Sequence, residues 1–507
     1  MVTLLGAAVS VLLFTFLYPK SLEARPNILF ILADDYGWND VSWHNRKMPT
    51  PIMEKLAMSG VMLKQSYVTL LCTPTRSALL TGYYPYHLGT QHGVFYGATA
   101  DAVPLRFTFL PEMLRRTGYK THMVGKWHLG YCNTSLIPTG RGFDSFYGYY
   151  MGCEDYFSHI YTDPHGENDS MPLDSRASLP CTCSNNAKMS GLDFWDGLRP
   201  VFEENGVYSA EIFANKSIDV IRRHPRSGRV PFFLYLAFQS VHYPLQVPEM
   251  YLSSCRHYQN RARRIYCGMV HAMDVAIGRV VDALKQTGHY DNTIIIFSTD
   301  NGGQTRDGGN NFPLRGNKAT LWEGGNRAVN FVHAPKWIKQ KGVRHRLFSV
   351  VDWLPTIMNI AGKKIRRYGD GINQWDLIIK GDKYGRRNGF VYNIDKGASA
   401  IRKGRYKLIV GDPGKPSGWI PEPSATASPP STSRAGEHKQ FSGIWLFDIK
   451  IDPTEHHNLA RKRPRLVRQM LQLILRLARS QAPSAHRPYD PRGNPKLHNN
   501  TWATGWC

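Results

Sequence analysis

The sequence predicts an α/β fold in which helices sandwich a large, mainly parallel sheet, followed by a smaller antiparallel α+β domain. Four short apolar segments are typical of buried parallel strands: NILFILADD, THMVGKWH, FFLYLAFQSVH and TIIIFSTDN. Segments with a helical pattern lie between them, including residues 107–118 and 269–288. After about residue 385 this alternation of strand and helix gives way to hairpin-like sequence, which indicates a second domain.

The C-terminal part, residues 386–507, is predicted to form the smaller domain, and residues 25–385 the larger one. The sequence GFVYNIDKGASAIRKGRYKLIVG is typical of a hairpin, and WLFDI is a further candidate strand. A Pro/Ser-rich insertion at 411–438 separates them and has no helical period. The segment PRLVRQMLQLILRLARS predicts a basic amphipathic helix that packs its apolar stripe on the sheet, with contact to a membrane as the alternative.

The first 24 residues predict a cleaved signal peptide, because an apolar run is followed by small residues around Ala24; a signal anchor is the alternative. No later stretch has roughly 18 or more consecutive apolar residues, so we expect a soluble mature chain without a membrane span. Four N-x-[ST] triplets are acceptor sequences for N-glycosylation, and they begin at Asn133, Asn168, Asn215 and Asn499. Together these features indicate the secretory pathway and a location in the lysosome or outside the cell.

The chain is strongly basic, since 63 Lys and Arg against 39 Asp and Glu give a net charge of +24. Such an excess favours a polyanionic partner, because a cationic surface raises the local concentration of an anionic substrate. Adaptation of the surface to an acidic compartment is the alternative. No nucleic-acid-binding motif accompanies the charge, so nucleic acid is not expected as a partner.

Eight cysteines in a chain of the secretory pathway indicate disulfides. A local bridge between Cys255 and Cys267 is plausible, whereas Cys181 and Cys183 are too close to pair comfortably with each other. If Cys72 is chemically special, seven cysteines remain and one is left over. The cysteines outside those two pairs are Cys72, Cys132, Cys153 and Cys507.

Reactive polar side chains end each of the four predicted strands, and parallel α/β sheets bind ligands beyond the carboxyl ends of their strands. We therefore expect these side chains to share one rim. An all-oxygen set suits a hard cation, and calcium accommodates crowded carboxylates better than magnesium. Zinc is disfavoured because no histidine sits beside these acids at ligand spacing, and turn chemistry is the alternative for either pair alone. The predicted metal ligands are Asp34, Asp35, Asp300 and Asn301.

Two histidines and two lysines on the same rim are candidate acids and anion holders: Lys126, His128, His242 and Lys318. A lone histidine after a strand is more often structural than catalytic. Two histidines beside a metal and two lysines favour a catalytic role. Such a set suits the cleavage of an ester, because cations hold the anionic group while an imidazole protonates the departing alkoxide.

Cys72 lies in the segment LCTPTRSALLTG, ahead of Pro74 and a helix-like stretch. It should therefore lie near a helix N-terminus, where an anionic ligand is favoured. From thiol chemistry alone, Cys72 is either a nucleophile with a lowered pKa or one half of a disulfide.

The segment CTPTR at residues 72–76, followed by Ser77 and LLTG, resembles the signature of the type I sulfatases. Further segments resemble that family in the same order: ADDYGWNDV, GKWHLG, QSVHYPLQVP, STDNGGQT and PLRGNKATLWEGG. The resemblance is closest to the arylsulfatase B (N-acetylgalactosamine-4-sulfatase) branch, notably in RGFDSFYGY and GGNNFPLRG. It runs from about residue 25 to the C-terminus and implies an alkaline-phosphatase-like arrangement of the large sheet.

The resemblance also implies a cofactor made from the chain itself. In that family a formylglycine-generating enzyme oxidises the cysteine before folding; one hydroxyl of the hydrated aldehyde attacks sulfur, and deprotonation of the other expels sulfate. Arg76 and His128 would hold the hydrate, Lys126 and Lys318 would grip sulfate oxygens, and His242 would protonate the leaving oxygen. One calcium ion would contact the modified Cys72 and the ligands Asp34, Asp35, Asp300 and Asn301.

The resemblance and the basic charge together predict a sulfuric ester hydrolase that removes 4-sulfate from N-acetylgalactosamine in chondroitin or dermatan sulfate. Another sulfated glycan or a small aryl sulfate is the alternative substrate. A phosphate-ester hydrolase with Thr73 as its nucleophile is disfavoured, because it would use zinc with histidine-rich ligation. An inactive glycoprotein that binds sulfated glycans receives little support, since no expected site residue is missing.

Overall fold

A computed structural model of the chain describes residues 25–163, 189–226, 228–422 and 443–507. Within these ranges it contains a ten-stranded sheet, a four-stranded sheet and three two-stranded sheets. Several predictions lie outside the described residues: the signal peptide, the acceptor Asn168, Cys181, Cys183 and residues 423–438 of the insertion.

The strands, in chain order, are β1 Asn27–Ala33, β2 Val61–Leu63, β3 Ser66–Tyr67, β4 Lys120–Lys126, β5 Ser145–Tyr149, β6 Ile160–Asp163, β7 Met189–Leu192, β8 Trp195–Asp196, β9 Arg199–Pro200, β10 Phe232–Ala237, β11 Thr293–Thr299, β12 Phe331–His333, β13 Gly342–Arg344, β14 Phe348–Ser349, β15 Arg367–Tyr368, β16 Gly371–Ile372, β17 Gly389–Ile394, β18 Ala398–Lys403, β19 Tyr406–Gly411 and β20 Gly443–Asp448.

The α-helices of the described residues are α1 Pro51–Met58, α2 Cys72–Thr81, α3 Pro85–Leu88, α4 Leu110–Arg115, α5 Ser209–Arg223, α6 Arg261–Gln286, α7 Glu323–Asn326, α8 Trp353–Ile360, α9 Trp375–Lys380 and α10 Pro464–Ala478. Short 3₁₀ helices occupy Glu249–Cys255, Tyr290–Asn292, Thr305–Asp307, Val350–Asp352, Asp382–Tyr384, Pro491–Gly493 and Pro495–Leu497.

The ten-stranded sheet has the order β13-β2-β12-β11-β1-β10-β4-β5-β8-β9. Its centre is parallel, since β11, β1, β10, β4 and β5 all run the same way, with Phe30 of β1 opposite Tyr235 of β10 and Ile296 of β11. Antiparallel pairs flank this centre, with β12 between β11 and β2 on one side and β8 between β5 and β9 on the other. The prediction of a large, mainly parallel sheet is confirmed.

Helices cover both faces of this sheet because its central strands are apolar on both sides. All seven residues of β1 are buried. Ile28 and Phe30 belong to the cluster that contains α2 and α8, whereas Leu29 and Ile31 belong to the cluster that contains α1, α5 and α6. This double burial explains the continuous apolar runs in the sequence.

Two helix boundaries differ from the predicted ones. The helix expected at 269–288 begins at Arg261, because the Asn260 side chain caps it by accepting a hydrogen bond from the Arg263 N–H. The helix expected at 107–118 covers only Leu110–Arg115. Pro111 lies in its first turn, and Gly118 adopts a positive φ of 85° in the turn that leads to β4.

The smaller sheet has the order β17-β18-β19-β20 and is antiparallel throughout. The segment predicted as one hairpin therefore forms three strands and two hairpins. Helix α10 packs against β18 and β19, with Met470 and Ile474 buried, which agrees with packing of its apolar stripe on the sheet. The antiparallel α+β character of this part is confirmed, while the exact bounds of the two domains stay a prediction.

The disulfides of the described residues include the predicted bridge between Cys255 and Cys267. A second one joins Cys132 to the C-terminal residue Cys507, and Cys153 is disulfide-bonded as well. Cys72 is buried and unpaired. Among the described residues, no helix combines the length and apolar character needed to cross a membrane.

Candidate active site

The ends of three neighbouring strands hold the acidic residues of the site in place. Asp34 follows β1 directly, and its N–H donates to the carbonyl of Ser240, which follows β10, at 3.0 Å. Asp300 follows β11, and its N–H donates to the carbonyl of Ala33 at 3.0 Å. Because β11, β1 and β10 are adjacent and parallel, their carboxyl ends meet at one edge of the sheet. The rim predicted from the sequence is therefore present.

Cys72 is the first residue of α2 and only 1% exposed. Its Sγ lies 3.5 Å from Asp34 Oδ1 and 3.5 Å from Asn301 Oδ1. Burial, together with the charges of Asp300 and Asp34, raises the pKa of the thiol well above its ordinary value. The position at a helix N-terminus agrees with the prediction, but neither thiol alternative fits, because Cys72 is not in a disulfide and its thiolate is disfavoured.

Arg76, one turn further along α2, organises the carboxylates. Its Nε and Nη2 donate to Asp300 Oδ2 at 3.1 and 2.9 Å, and Nη2 lies 3.4 Å from Asp34 Oδ2. Its Nη1 donates to the carbonyl of Lys126 at 3.1 Å. The guanidinium and both carboxylates are fully buried, so Arg76 fixes the spacing between the ends of β1 and β11.

The two predicted lysines each meet one carboxylate. Lys126, the last residue of β4, forms a buried ion pair with Asp34. Lys318 lies in the loop before α7, and its Nζ is 2.8 Å from Asp35. The Nδ2 of Asn301 donates to Asp35 Oδ1 at 2.7 Å. The pKa of Asp35 is low: burial alone would raise it, but Lys318 and His242 outweigh burial.

His242 faces the acids across the site. Its Nδ1 lies 2.6 Å from the carbonyl of Tyr243, which assigns the hydrogen to Nδ1. Its Nε2 is then turned toward Asp35, 3.6 Å from Oδ2. Burial and the nearby Lys318 lower the pKa of His242. Ligand atoms of Asp34, Asp35, Cys72 and His242 all lie within 4.8 Å of one another.

His128 follows β4 and adopts a positive φ of 61°. Its Nε2 bonds to the carbonyl of Phe95 at 3.0 Å, while its buried Nδ1 has no hydrogen-bond partner within the described part of the chain. Burial, reinforced by Lys126, lowers its pKa well below the usual value, so the ring is neutral. Because a carbonyl can only accept, Nε2 carries the single hydrogen of this neutral ring, and the free Nδ1 can accept one hydrogen bond from a ligand.

From sequence spacing we expected no histidine beside the acidic residues of the site, and the structure shows that this expectation is wrong. His242 is more than two hundred residues from Asp35 in the chain, yet its Nε2 lies within 3.6 Å of that carboxylate. The loop after β10 folds back over the carboxyl end of β1, with the Val241 N–H donating to the Asp34 carbonyl at 2.7 Å. Sequence spacing therefore could not exclude histidine from this cluster.

The donor atoms of the site, rather than its charge balance, fit a divalent cation. The three carboxylates, Asp34, Asp35 and Asp300, face three cationic groups, Arg76, Lys126 and Lys318, so the charges cancel. A cation of charge +2 among the carboxylates would give the site a net positive charge, and an anionic ester group would offset it. The carboxylate and amide oxygens gathered here are donors that calcium prefers.

Sequence reasoning missed the loop that carries Phe95. The Phe95 N–H donates to Thr73 Oγ1 at 3.3 Å, and Thr73 Oγ1 donates to the His128 carbonyl at 3.1 Å. This loop thus connects the segment that carries Cys72 and Thr73 to His128. Thr73 could have been suspected from its place beside Cys72, but Phe95 acts only through its backbone and leaves no side-chain signal.

A model of the family described as Sulfatase matches residues 26–363. The chain belongs to the sulfatase family. It is 37% identical to arylsulfatase J of Mus musculus over 505 residues, which covers 94% of this chain and 80% of that protein. It is 30% identical to arylsulfatase A of Homo sapiens over 449 residues, covering 86% of this chain and 83% of that protein.

A solved structure, Ps i-CgsB in complex with k-i-k-neocarrahexaose, superposes on the fold with a TM-score of 0.73. The two sequences are 26% identical, and the match covers 94% of this chain and 98% of that one. The alkaline-phosphatase-like sulfatase fold and the sulfatase activity predicted from the sequence are therefore confirmed. The protein is an enzyme that hydrolyses sulfate esters.

Proposed function

We propose that this sulfatase works through a formylglycine made from Cys72 by a formylglycine-generating enzyme, with one calcium ion beside it. The observation that carries the proposal is the position of Cys72 Sγ, 3.5 Å from oxygens of both Asp34 and Asn301 at the rim of the sheet. A buried thiol with a raised pKa is a poor nucleophile as it stands. A formylglycine there would supply, as its hydrate, an oxygen nucleophile and a second hydroxyl through which sulfate is released.

Calcium would be held by the oxygens of Asp34, Asp35, Asp300 and Asn301, and it would supply charge stabilisation for the sulfate group. Lys126 and Lys318 now neutralise Asp34 and Asp35. With those carboxylates neutralised by the ion, both ammonium groups would be free to bind sulfate oxygens. Arg76 would keep Asp300 in place through its two donors.

The two histidines have separate roles in this proposal. His128, with its unused Nδ1, would bind the hydrated side chain at residue 72. His242 would donate a proton from Nε2 to the departing oxygen, with its Nδ1 anchored on the Tyr243 carbonyl. Burial and Lys318 lower the pKa of His242, which disfavours its protonated form, so this acid role would gain from a low pH.

For the natural substrate we propose 4-sulfated N-acetylgalactosamine in chondroitin or dermatan sulfate, with other sulfated glycans and small aryl sulfates as the alternatives. The charge of +24 and the neutral-to-positive site support an anionic polysaccharide. We also propose a secretory route to the lysosome or the cell exterior. The exposed acceptor residues Asn215 and Asn499 support glycosylation on that route.

A phosphate-ester hydrolase with Thr73 as nucleophile is less well supported. The Thr73 hydroxyl is fully buried and already bonded to the His128 carbonyl and the Phe95 N–H. It would have to leave both partners to attack a substrate, whereas Cys72 Sγ lies directly against the acidic residues.

Mass spectrometry of the peptide that contains Cys72, from protein made in eukaryotic cells, tests the proposal. Formylglycine gives a mass lower than that of the cysteine peptide by about 18 Da, the difference between a thiol carbon and an aldehyde carbon. We expect that species together with stoichiometric calcium by metal analysis. Full activity in a preparation that contains only unmodified Cys72 would overturn the proposal.

A further inference from the structure

Helix α10 has one face for the sheet and another for the solvent. Met470 and Ile474 are buried against the small sheet, and further apolar residues of the helix are partly buried beside them. With this face covered, the opposite face can only meet solvent or a partner.

Four exposed arginines form that opposite face. At 3.6 residues per turn, they fall within an arc of about 80° around the helix axis, and the first and last lie about 21 Å apart along it. We call this surface the arginine face, and its members are Arg465, Arg468, Arg476 and Arg479.

The arginine face has no local acid to neutralise it. Residues 456–489 contain eight Lys and Arg but no Asp or Glu. Among the residues that the structure describes, none of the four arginines forms an ion pair, whereas exposed arginines elsewhere do, as Arg46 does with Glu54 and Arg492 with Asp490. Like charges three or four residues apart cost a helix a few tenths of a kcal/mol per pair. Arg476 and Arg479, at the carboxyl end, are favoured by the helix dipole, whereas Arg465 and Arg468 near the amino end are not.

A cavity lies at the carboxyl end of α10 and is lined in part by the loop that leads to Phe95. Its volume is about 720 Å³, and its polar lining includes His92, Lys396, Gln481 and Ser484. His92 is three residues before Phe95, whose carbonyl bonds to His128, so it lies within about 11 Å of that contact at full extension of the chain. His92 is paired with Asp395 at 2.9 Å, so Lys396 is the basic residue of this lining that lies outside that pair, and the loop of His92 connects the cavity to the candidate active site.

We propose that the arginine face is a binding surface for the sulfate and carboxylate groups of a sulfated polysaccharide, at sugars beyond the one being hydrolysed. Guanidinium groups suit this ligand, because their planar fork of donors matches the oxygens of anionic groups. The cavity with His92 and Lys396 accommodates the sugars in between. This inference rests on the proposed function, since it takes an anionic glycan as the substrate.

An anionic membrane is the less favoured partner. Helices that bind membranes insert an apolar face at the lipid interface, and here that face lies against the sheet. Leu475, 59% exposed, lies beside the arginine face, but a single leucine does not form an apolar stripe. The charge without an accessible apolar stripe fits a polyanion in solution.

The test uses the full chain with all four arginines changed to glutamine: R465Q, R468Q, R476Q and R479Q. Glutamine keeps the helix propensity of these exposed positions. We expect the variant to elute from immobilised chondroitin 4-sulfate at lower salt, and its kcat/KM for the polymer to fall about tenfold. Its kcat/KM for a small aryl sulfate, which does not extend to α10, should match the parent value.

The matched control removes the same charge from the opposite face of the large sheet: R222Q, R223Q, R226Q and R229Q, at the end of α5 and just beyond it. We expect it to retain most of the parent's polymer binding and turnover. An equal loss in both variants would overturn the proposal, because net charge would then explain the effect. Parent-like polymer binding by the α10 variant would overturn it too. Binding to phosphatidylserine vesicles is measured in parallel, and a variant that loses only vesicle binding would likewise overturn the proposal.

Measuring polymer binding separately from sulfate release distinguishes a failure of this inference from a failure of the proposed function. If the parent binds chondroitin 4-sulfate through the arginine face but releases no sulfate from it, the surface stands and the substrate proposal fails. If the parent releases sulfate from the polymer and the α10 variant matches the parent on both the polymer and the small ester, the substrate proposal stands and the proposed binding surface is wrong.

Discussion

Replacement of Lys407 by methionine should strongly destabilise the fold, because this lysine joins two buried carboxylates. Its Nζ lies 3.0 Å from Glu323 Oε1 and 2.9 Å from Glu455 Oε1, and all three side chains are fully buried. Breaking a buried pair by removing one partner costs about 3–5 kcal/mol. Methionine keeps the aliphatic stem, so the loss reports on the charge alone.

The structure places the expected loss at the lower end of that range. Glu323 keeps two hydroxyl donors, Tyr67 and Tyr392, each at 2.8 Å. Glu455 keeps only the Glu323 N–H at 2.7 Å, but it can take up a proton. Burial, only partly offset by Lys407, already raises the pKa of Glu455 to about 7. We therefore expect a loss of about 3 kcal/mol in the free energy of unfolding at neutral pH.

The loss in the free energy of unfolding should also depend on pH, and the titration of Glu455 determines whether it grows or shrinks as the pH rises. A carboxyl group whose folded pKa lies above its unfolded value stabilises the fold below the unfolded pKa, and that contribution disappears as the pH rises through the folded pKa. Without Lys407 the folded pKa of Glu455 rises further. The variant should thus lose more stability relative to the parent at pH 8 than at pH 5.

Urea unfolding followed by tryptophan fluorescence at pH 5 and pH 8 measures both effects, provided that the m-values match. The double variant Lys407→Met with Glu455→Gln is the control, since a neutral amide needs no proton and should recover stability at pH 8 but little at pH 5. A loss below about 1 kcal/mol, or one independent of pH, would refute this account of the network.

Three further predictions concern the site. Cys72→Ser should retain the fold, with an unchanged Tm, but lose multiple turnover, because a serine offers no second hydroxyl for sulfate release; parent-like turnover would contradict the formylglycine proposal. Asp300→Ala should lose both calcium and activity, since it removes a ligand and the main partner of Arg76; calcium retained at one ion per chain in metal analysis would show that the site is misassigned. His242→Ala should lower kcat more for a sugar sulfate than for an activated aryl sulfate, whose leaving group needs no proton; equal losses would exclude the acid role.

The sequence predicted the parts of the site that follow buried strands. Asp34 and Asp300 are set by the ends of β1 and β11, and the motif before Pro74 placed Cys72 at the start of α2. What it could not predict depends on contacts between distant segments. The approach of His242 to Asp35 requires the loop after β10 to fold over β1, and the support of His128 comes from a backbone carbonyl in the loop at Phe95.

The boundaries of the elements were harder to predict for a related reason. The start of α6 depends on the Asn260 cap and on Arg263, which is buried because it pairs with Asp40 at 2.6 Å. A buried arginine does not fit an apolar period, so the pattern indicated a later start. Likewise, the segment predicted as one hairpin forms three strands. The turn at residues 404–405 lies within a charged stretch, so the sequence pattern did not indicate it.

The small sheet contributes to the site although none of the predicted site residues lies on it. Lys407 of β19 bonds to Glu323, which opens α7 five residues after Lys318. The segment that leaves β19 then pairs with the loop that carries Lys318: the Leu321 N–H donates to the Pro413 carbonyl at 2.8 Å, and the Gly316 N–H donates to the Gly418 carbonyl at 2.9 Å.

Farther along the same segment, Glu422 accepts hydrogen bonds from Arg263 at 3.0 Å and from Asn45 at 2.7 Å in the large domain. Lys318 therefore lies in a loop braced from both domains. Its ammonium group lies 2.8 Å from Asp35, and in the proposed role it must also stay within reach of a sulfate, which a long side chain on an unsupported loop would not do. The C-terminal part of the chain therefore helps to hold in place the loop that carries Lys318, the residue that we propose binds the sulfate, and so supports the candidate active site.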